Sequence, residues 1–364
     1  VPLADPYLLP MAALLTAIGV TEIYRLGPGN AFRQGLWIVI GVAVFAATLF
    51  WLHKDYRVLE RYKYVFGVTA IFLLFLPLAP GIGETINGSR LWIHFGSLQF
   101  QPGELGKIAL IVFLAAYLRE KREVLAQGRL KDWGPLLVIW GGAMLVLFAT
   151  DDLGSALLYY GIFLAMLYVA TARLAFVAAA LGLFLVGSYA VSQATPHVQE
   201  RVNVWLDPYK HAESSGYQIL QSLYSMAHGG FGGTGLGRGI VASQSGQQIV
   251  PDQSTDFIYS ALAQELGLIG AAALLLLYMG FVLRGFRIAL AATDGFSKLL
   301  AAGLSFSFAF QTFVIVGGIT RVIPLTGITL PFVSYGGSSV VSNFLLVAGL
   351  LLISNRANRQ EAAG

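Results

Sequence analysis

The residues able to do chemistry are few and unevenly placed. Asp252 and Asp256 stand four apart in PDQSTDF, directly ahead of a long apolar run. A carboxylate fixed at a helix start and facing a cavity can act as a general base when a hydroxyl comes within hydrogen-bond reach and its pKa suits. Ser254, Thr255 and Asp256 are equally competent to cap that helix, so base and cap both stand as roles for Asp256. Glu104 and Lys107 are spaced i,i+3 and share one helix face. They read either as a structural ion-pair network, joined by Asp151, Asp152 or Arg90, or as a contact to substrate. Asp151 and Asp152 open another apolar run, which Asp152 can cap. Glu265 lies nine residues beyond Asp256, about two and a half helical turns, and so belongs at a different depth. From Gly229 to Gly239 seven glycines fall within eleven residues. Such a run can bring backbone N–H groups close around phosphate, or it can be a flexible or tightly packed connector. It lacks the closing Lys-Ser or Lys-Thr of a nucleotide loop.

Cysteine is absent, and the five histidines are scattered with no HExxH pair. Thiolate chemistry is excluded, and no helix face carries a histidine pair for a metal. The basic residues form no groove lined with aromatic platforms, which argues against nucleic acid as a partner.

A membrane bundle must position these groups. Of the 364 residues 56% are hydrophobic and 12% charged, and the mean hydropathy is +0.70. A globular chain carries roughly 25% charged residues, so this one lacks the polar material to cover a water-facing surface. A span needs about 20 residues to cross the hydrocarbon. Suitable apolar runs lie at 7–25, 34–53, 62–80, 103–118, 134–150, 154–170, 173–191, 257–283, 299–318 and 339–354. The expectation is therefore an all-α, polytopic membrane protein of about ten transmembrane helices, with residues 1–360 forming a single bundle. The first run has no basic region before it and no small-residue cleavage site after it, so it is expected to be a retained helix. With the N-terminus cytoplasmic, 15 of the 23 lysines and arginines fall in inside loops, which puts both termini in the cytoplasm. The fourth run is short and carries Glu104 and Lys107, yet omitting it would mix the charges between the two sides.

Two outer regions depart from plain lipid-facing helix. Residues 192–256 form a loop far longer than an ordinary connection. Within it Ile219, Leu220, Leu223 and Met226 repeat at helical spacing, which predicts an amphipathic helix on the membrane surface or against the bundle. In 317–339 Pro324 and Pro331 should interrupt helix, giving an outer re-entrant or broken-helix segment. Broken helices at membrane depth line cavities or are buried in protein, and their free N–H groups could face an anionic headgroup.

Four blocks in these regions carry a family resemblance: NGSRLWIHFGSLQFQPGELGKI (87–108), DDLGSAL (151–157), the stretch from Arg201 through GYQILQS and the glycine run to PDQSTDF (251–257), and PLTGITLPFVSYGGSS (324–339). Their order and the ten spans cover nearly the whole chain. In this it resembles the SEDS family of shape, elongation, division and sporulation proteins, and most of all those serving rod shape. The resemblance implies an enzyme of the bacterial plasma membrane that polymerises peptidoglycan from lipid II at the outer leaflet. It implies as partners a class B penicillin-binding protein transpeptidase and the elongation machinery. The family's essential acidic residue, in its TDF context, falls on Asp256. The QPSE-type motif falls on Gln101, Pro102, Gly103 and Glu104, followed by Lys107, with glycine where serine is usual. Asp152 matches the family's aspartate before LG, and Arg201 the arginine heading the long loop.

Such a reaction joins an α-linked donor to an acceptor 4-hydroxyl with inversion, so a single displacement suffices. It needs a base, for which Asp256 is the candidate, and donors for the departing pyrophosphate. Arg201 and Arg321 are the first candidates for that role, followed by Arg90 and Lys107, with Glu104, Asp152 and Asp252 supporting the site. A divalent cation, Mg or Mn, would be oxygen-liganded and held with the substrate. Ten spans with intramembrane charges also suit a lipid II flippase, or a scaffold whose partner does the chemistry. The polar features gather on the outer side, where a polymerase needs them.

Overall fold

The computed structural model describes every residue except 87–88, 96–97, 127–132, 151, 195, 242–248 and 364. Asp151 therefore lies outside the described residues, as do Arg129 and Lys131 of the inside loops.

Helices account for most of the described chain. α1 (Leu8–Leu26) and α2 (Pro28–Leu52) form a hairpin around Gly27, with Pro28 in the first turn where a missing N–H costs nothing. A short α3 (Val58–Arg61) precedes α4 (Lys63–Phe75). α5 (Pro102–Ala126), α6 (Gly134–Ala149), α7 (Leu153–Thr171) and α8 (Leu174–Ala194) follow. The long outer loop contains α9 (Pro196–Leu206) and α10 (Tyr217–Gly229). The chain ends with α11 (Ile258–Ala291), α12 (Gly295–Ile319) and α13 (Gly337–Ala363).

Six of these helices, α1, α2, α7, α11, α12 and α13, are long and apolar enough to cross a membrane, and three shorter apolar helices lie at 63–78, 134–149 and 174–187. α5 completes the ten expected spans. It carries Glu104 and Lys107 and is central: Leu110 to Leu118 are all buried, and it packs on α4, α7, α12 and α13. On the outside of the bundle Phe32, Val39, Leu183 and Val186 are each about 70% exposed, at 71%, 69%, 73% and 69%. That belt is stable only against lipid.

The N-terminal residues pack on the end of α13. Leu3 N donates to Asn355 Oδ1 (3.1 Å), Asp5 N to Ser354 Oγ (2.9 Å) and Asn358 Nδ2 to Leu3 O (2.6 Å). Both ends of the described chain thus lie on one face. The opposite face carries an antiparallel three-stranded sheet, β1 (Gly83–Ile86), β2 (Ser89–Phe95) and β3 (Leu98–Phe100), with Glu84 opposite Trp92 and His94 opposite Gln99. Hydropathy gave no sign of it, because strands of 4, 7 and 3 residues are too short to show a period.

The amphipathic helix expected in the outer loop is α10. Its most buried face includes Ser222, Ser225 and Gly229 beside Ile219 and Leu220. Small residues let α10 approach α11 closely. Thr320 to Gly336 is irregular and largely buried, and neighbouring side chains satisfy its backbone. Gln34 Nε2 donates to Ser334 O (3.3 Å), Gly336 N to Gln34 Oε1 (3.1 Å), Tyr278 Oη to Pro331 O (2.6 Å) and Gln311 Nε2 to Thr329 O (2.8 Å). Gly19 is required where α1 crosses this coil, since a Cβ there would lie 2.5 Å from Val333 O.

Candidate active site

On the sheet-bearing face two cavities meet. One, of about 350 Å³, lies between α9, α10 and the 320–336 coil, lined by Glu200, Trp205 and Gln218 among others. The second, of about 320 Å³, lies beneath the sheet and over the first turns of α5, α7 and α13, with Trp37, Trp92, Gln99, Glu104 and Asp152 in its walls. Arg201, Asp252, Asp256 and Gly327 line both. The junction is therefore one arginine and two aspartates beside a glycine.

Asp256 is half-buried. Thr255 N and Asp256 N both donate to Asp252 O at 3.1 Å, a turn that places residue 252 at φ 52°. The residue at the cap position of α11 is Phe257, with no side-chain cap bond. None of Ser254, Thr255 and Asp256 caps the helix, and the Asp256 carboxylate remains available to the cavity. Burial, and next the charge of Asp252, push its pKa up to about 6, against a smaller lowering by the Thr255 hydrogen bond and Arg201. Across from it stands Gly327 at φ 71°, where a Cβ would sit 3.6 Å from Asp256 Oδ2.

Asp152 does cap α7, its Oδ1 accepting from Ser155 N at 2.9 Å. Burial raises its pKa most; bonds from Ser155 lower it, Glu104 raises it, and Arg201 lowers it. Arg201 thus acts on both Asp152 and Asp256 from α9. Glu104 Oε2 accepts from Lys107 Nζ (2.8 Å) and Ser342 Oγ (2.9 Å), and Lys107 Nζ also donates to Gln311 Oε1 (2.7 Å). Gln311 continues this chain to Thr329 O, in the wall of the second cavity. Glu104 faces the cavity, while Lys107 is buried behind it at 2% exposure.

Three of the cations proposed from sequence for pyrophosphate are committed elsewhere. Lys107 is consumed by Glu104 and Gln311. Arg321 donates through Nη2 to Trp205 O (2.9 Å) and Leu206 O (3.2 Å), and its own carbonyl accepts from Trp205 Nε1 (3.0 Å). The clasp ties the C-terminus of α9 to the coil, so Arg321 holds the helix that carries Arg201. Arg90 donates to Ala79 O (3.2 Å) and lines neither cavity. The two arginines were named for their outer position, and the carbonyls that occupy them cannot be read from sequence, whereas the pairing of Lys107 with Glu104 follows from their i,i+3 spacing. Gln311 and Ser342 were missed. The available signal was a lone polar side chain in an apolar run, which at membrane depth needs a partner.

These features define a polytopic membrane protein with a carboxylate-centred, two-chambered site at one face. A model of the FtsW/RodA/SpoVE cell cycle protein family matches residues 6–360. Over 379 residues the chain is 42% identical to the peptidoglycan glycosyltransferase RodA of Mycobacterium tuberculosis, covering 98% of this chain and 79% of that one. Its fold matches the crystal structure of the rod shape determining protein RodA of Thermus thermophilus, with TM-score 0.70, 27% identity and 97% of each chain covered. A chain from a peptidoglycan synthase complex, described as coordinating polymerization and crosslinking, matches with TM-score 0.79, 28% identity and coverage of 98% and 99%. The chain belongs to the FtsW/RodA/SpoVE family.

Proposed function

We propose that the chain is a peptidoglycan glycosyltransferase that polymerises lipid II into glycan strands during cell elongation. The carrying observation is that two cavities meet at one guanidinium and two carboxylates, Arg201 with Asp252 and Asp256. Transfer between two lipid-linked sugars needs two chambers and one shared reacting point. Asp256 removes the proton of the acceptor 4-hydroxyl, whose oxygen forms the new bond to C1 of the donor sugar. The bond from C1 to the departing undecaprenyl pyrophosphate breaks, and the α-linked donor becomes a β-linked product. With its pKa at about 6, Asp256 is ionised at neutral pH and more basic than an ordinary aspartate, as a general base should be. Arg201 faces the charge that develops on the pyrophosphate oxygens.

Mg or Mn fits the donor set at the junction as a substrate-held ion. Asp252 would hold it as a hard oxygen donor, leaving Asp256 to take the proton, and no group of three or more histidine or acidic residues able to hold a metal occurs among the described residues. Substrate oxygens and water would complete the coordination. Such an ion would offset the charge of the departing pyrophosphate. The face bearing both termini is cytoplasmic and the site extracytoplasmic, a reading supported by the distribution of lysine and arginine. The partner is a class B penicillin-binding protein transpeptidase, supported by the likeness to a chain of a synthase complex.

The test is polymerisation of purified lipid II by the purified chain with its transpeptidase partner, the partner's own site inactivated. Strands from the parent and none from folded Asp256→Asn are expected. Parental rates from Asp256→Asn would overturn the role of Asp256. No strands from the parent, where a control polymerase works, would overturn the function.

A further inference from the structure

The glycine run has a use that the two cavities do not explain. α11 is two helices joined at Gly267, which has φ 68° and ψ −172°, a conformation essentially reserved for glycine. The break frees carbonyls before it and N–H groups after it, and the 229–239 loop satisfies them. Thr234 N and Gly235 N donate to Gln264 O and Glu265 O, both at 3.0 Å, while Leu268 N and Ile269 N donate to Gly230 O (2.9 Å) and Phe231 O (3.3 Å). The closeness demands glycine. A Cβ on Gly233 would collide with Glu265 O, one on Gly229 with Ala263 O and one on Gly267 with Gly233 N.

The loop ends on a buried carboxylate. Glu265, 1% exposed, accepts from Gly237 N (2.7 Å) and Gly239 N (3.3 Å) and pairs with Arg25 at the end of α1. Arg25 also bonds Gly239 O and Glu22. These N–H groups are therefore spent on protein acceptors, and the loop is a splint for the elbow of α11, not a phosphate cradle. Beyond the elbow α11 runs antiparallel to α1, with Gly280 beside Met11 and Arg284 paired to Asp5. Before the elbow the short helix 258–266 leads back to the coil, where Tyr335 N donates to Ser254 O (2.8 Å). It is an arm with Asp256 at its inner end.

We propose that Glu265, gripped by the glycine loop and Arg25, is a positioning residue for Asp256, setting the angle of the 258–266 arm at the Gly267 elbow. The inference rests on the reading of Asp256 as the base. Nine residues at 1.5 Å each make a lever of about 13 Å. A change of about 5° at the elbow therefore moves the carboxylate by about 1 Å, enough to cost about 100-fold in rate.

The test compares parent, Glu265→Ala, Glu265→Gln and Asp256→Asn in lipid II polymerisation, with kcat and KM separated. Glu265→Ala should lose about 10- to 100-fold in kcat with KM within twofold. Glu265→Gln keeps one oxygen, enough for the shorter bond from Gly237 N but not for Gly239 N as well, and should recover part of the rate. Parental kcat in Glu265→Ala, a loss carried in KM instead of kcat, or no recovery in Glu265→Gln overturns the proposal. If Glu265→Ala does not fold, Gly237→Ala, which strains the loop at φ 75° in open space, must lower kcat without changing KM, and parental kcat there overturns it. A parental rate in Asp256→Asn removes the base reading and this inference together. An inactive Asp256→Asn beside a fully active Glu265→Ala removes this inference alone.

Discussion

Asp256→Asn should silence the enzyme and stabilise its fold, the second only at the pH where the first matters. The folded carboxyl titrates at about 6 against the 3.8 of an ordinary aspartate. At 1.36 kcal/mol per unit, ionising Asp256 in the folded protein costs up to about 3 kcal/mol, and partial solvent access reduces this to about 1–2 kcal/mol. A carboxyl with a raised folded pKa favours the folded state below its unfolded value, and that contribution is lost as pH rises through the folded one. Asparagine carries no such charge, so its advantage should be absent near pH 4, grow toward pH 6 and stay constant above. Thermal unfolding of detergent-solubilised parent and variant at one scan rate, at pH 4.5, 6 and 8, reads this directly as a difference in Tm. A pH-independent difference, or a variant less stable than the parent at pH 8, would refute the claim that Asp256 is held against its charge by burial and Asp252.

Three further outcomes follow from the contacts around the site. Lys107→Met leaves Glu104 buried without its cation and should cost about 3–5 kcal/mol in thermal unfolding, much of it recovered by adding Glu104→Gln; a single variant as stable as the parent would contradict the pair's burial. Arg201→Ala should weaken binding of a polyprenyl pyrophosphate by about 1.5–3 kcal/mol, and Arg321→Ala by less, because Arg321 acts only through α9; equal losses in an affinity titration would place Arg321 on the ligand. Gly267→Ala forces a side chain into a region costing about 1–3 kcal/mol and onto Gly233, so it should lower Tm, whereas the exposed Gly182 with open space around it tolerates alanine unchanged.

The spans and the junction residues were legible from sequence for one reason: membrane hydrocarbon makes every charge conspicuous. Glu104, Lys107, Asp152 and Asp256 stood out against apolar runs, and so did α10 through its spacing. What stayed hidden was partner choice. Whether Arg321 meets a ligand or the carbonyls of Trp205 and Leu206 depends on where α9 ends in space, and nothing local encodes that. The glycine run was open between cradle and connector because both need N–H groups at close range. Only the acceptors, Gln264 O, Glu265 O and the Glu265 carboxylate, distinguish them.

The acid count at the site raises a problem that its partners resolve. Glu104, Asp152, Asp252 and Asp256 face a cavity with Arg201 the one cation in its wall among the described residues, a poor host for a pyrophosphate if all four are charged. Two of them are muted locally. Lys107 sits against Glu104 from behind, and burial raises the pKa of Asp152, pushing that group toward its neutral form. The negative charge is thereby concentrated on Asp252 and Asp256 at the junction, with Arg201 opposite. In the proposed reaction one carboxylate is then free to take a proton while the guanidinium faces the leaving group. It follows that Lys107 and the burial of Asp152 serve binding without touching substrate: Lys107→Met/Glu104→Gln, neutral on both sides, should bind a polyprenyl pyrophosphate as the parent does, whereas Lys107→Met alone should bind it more weakly, by a margin that shrinks as salt is raised.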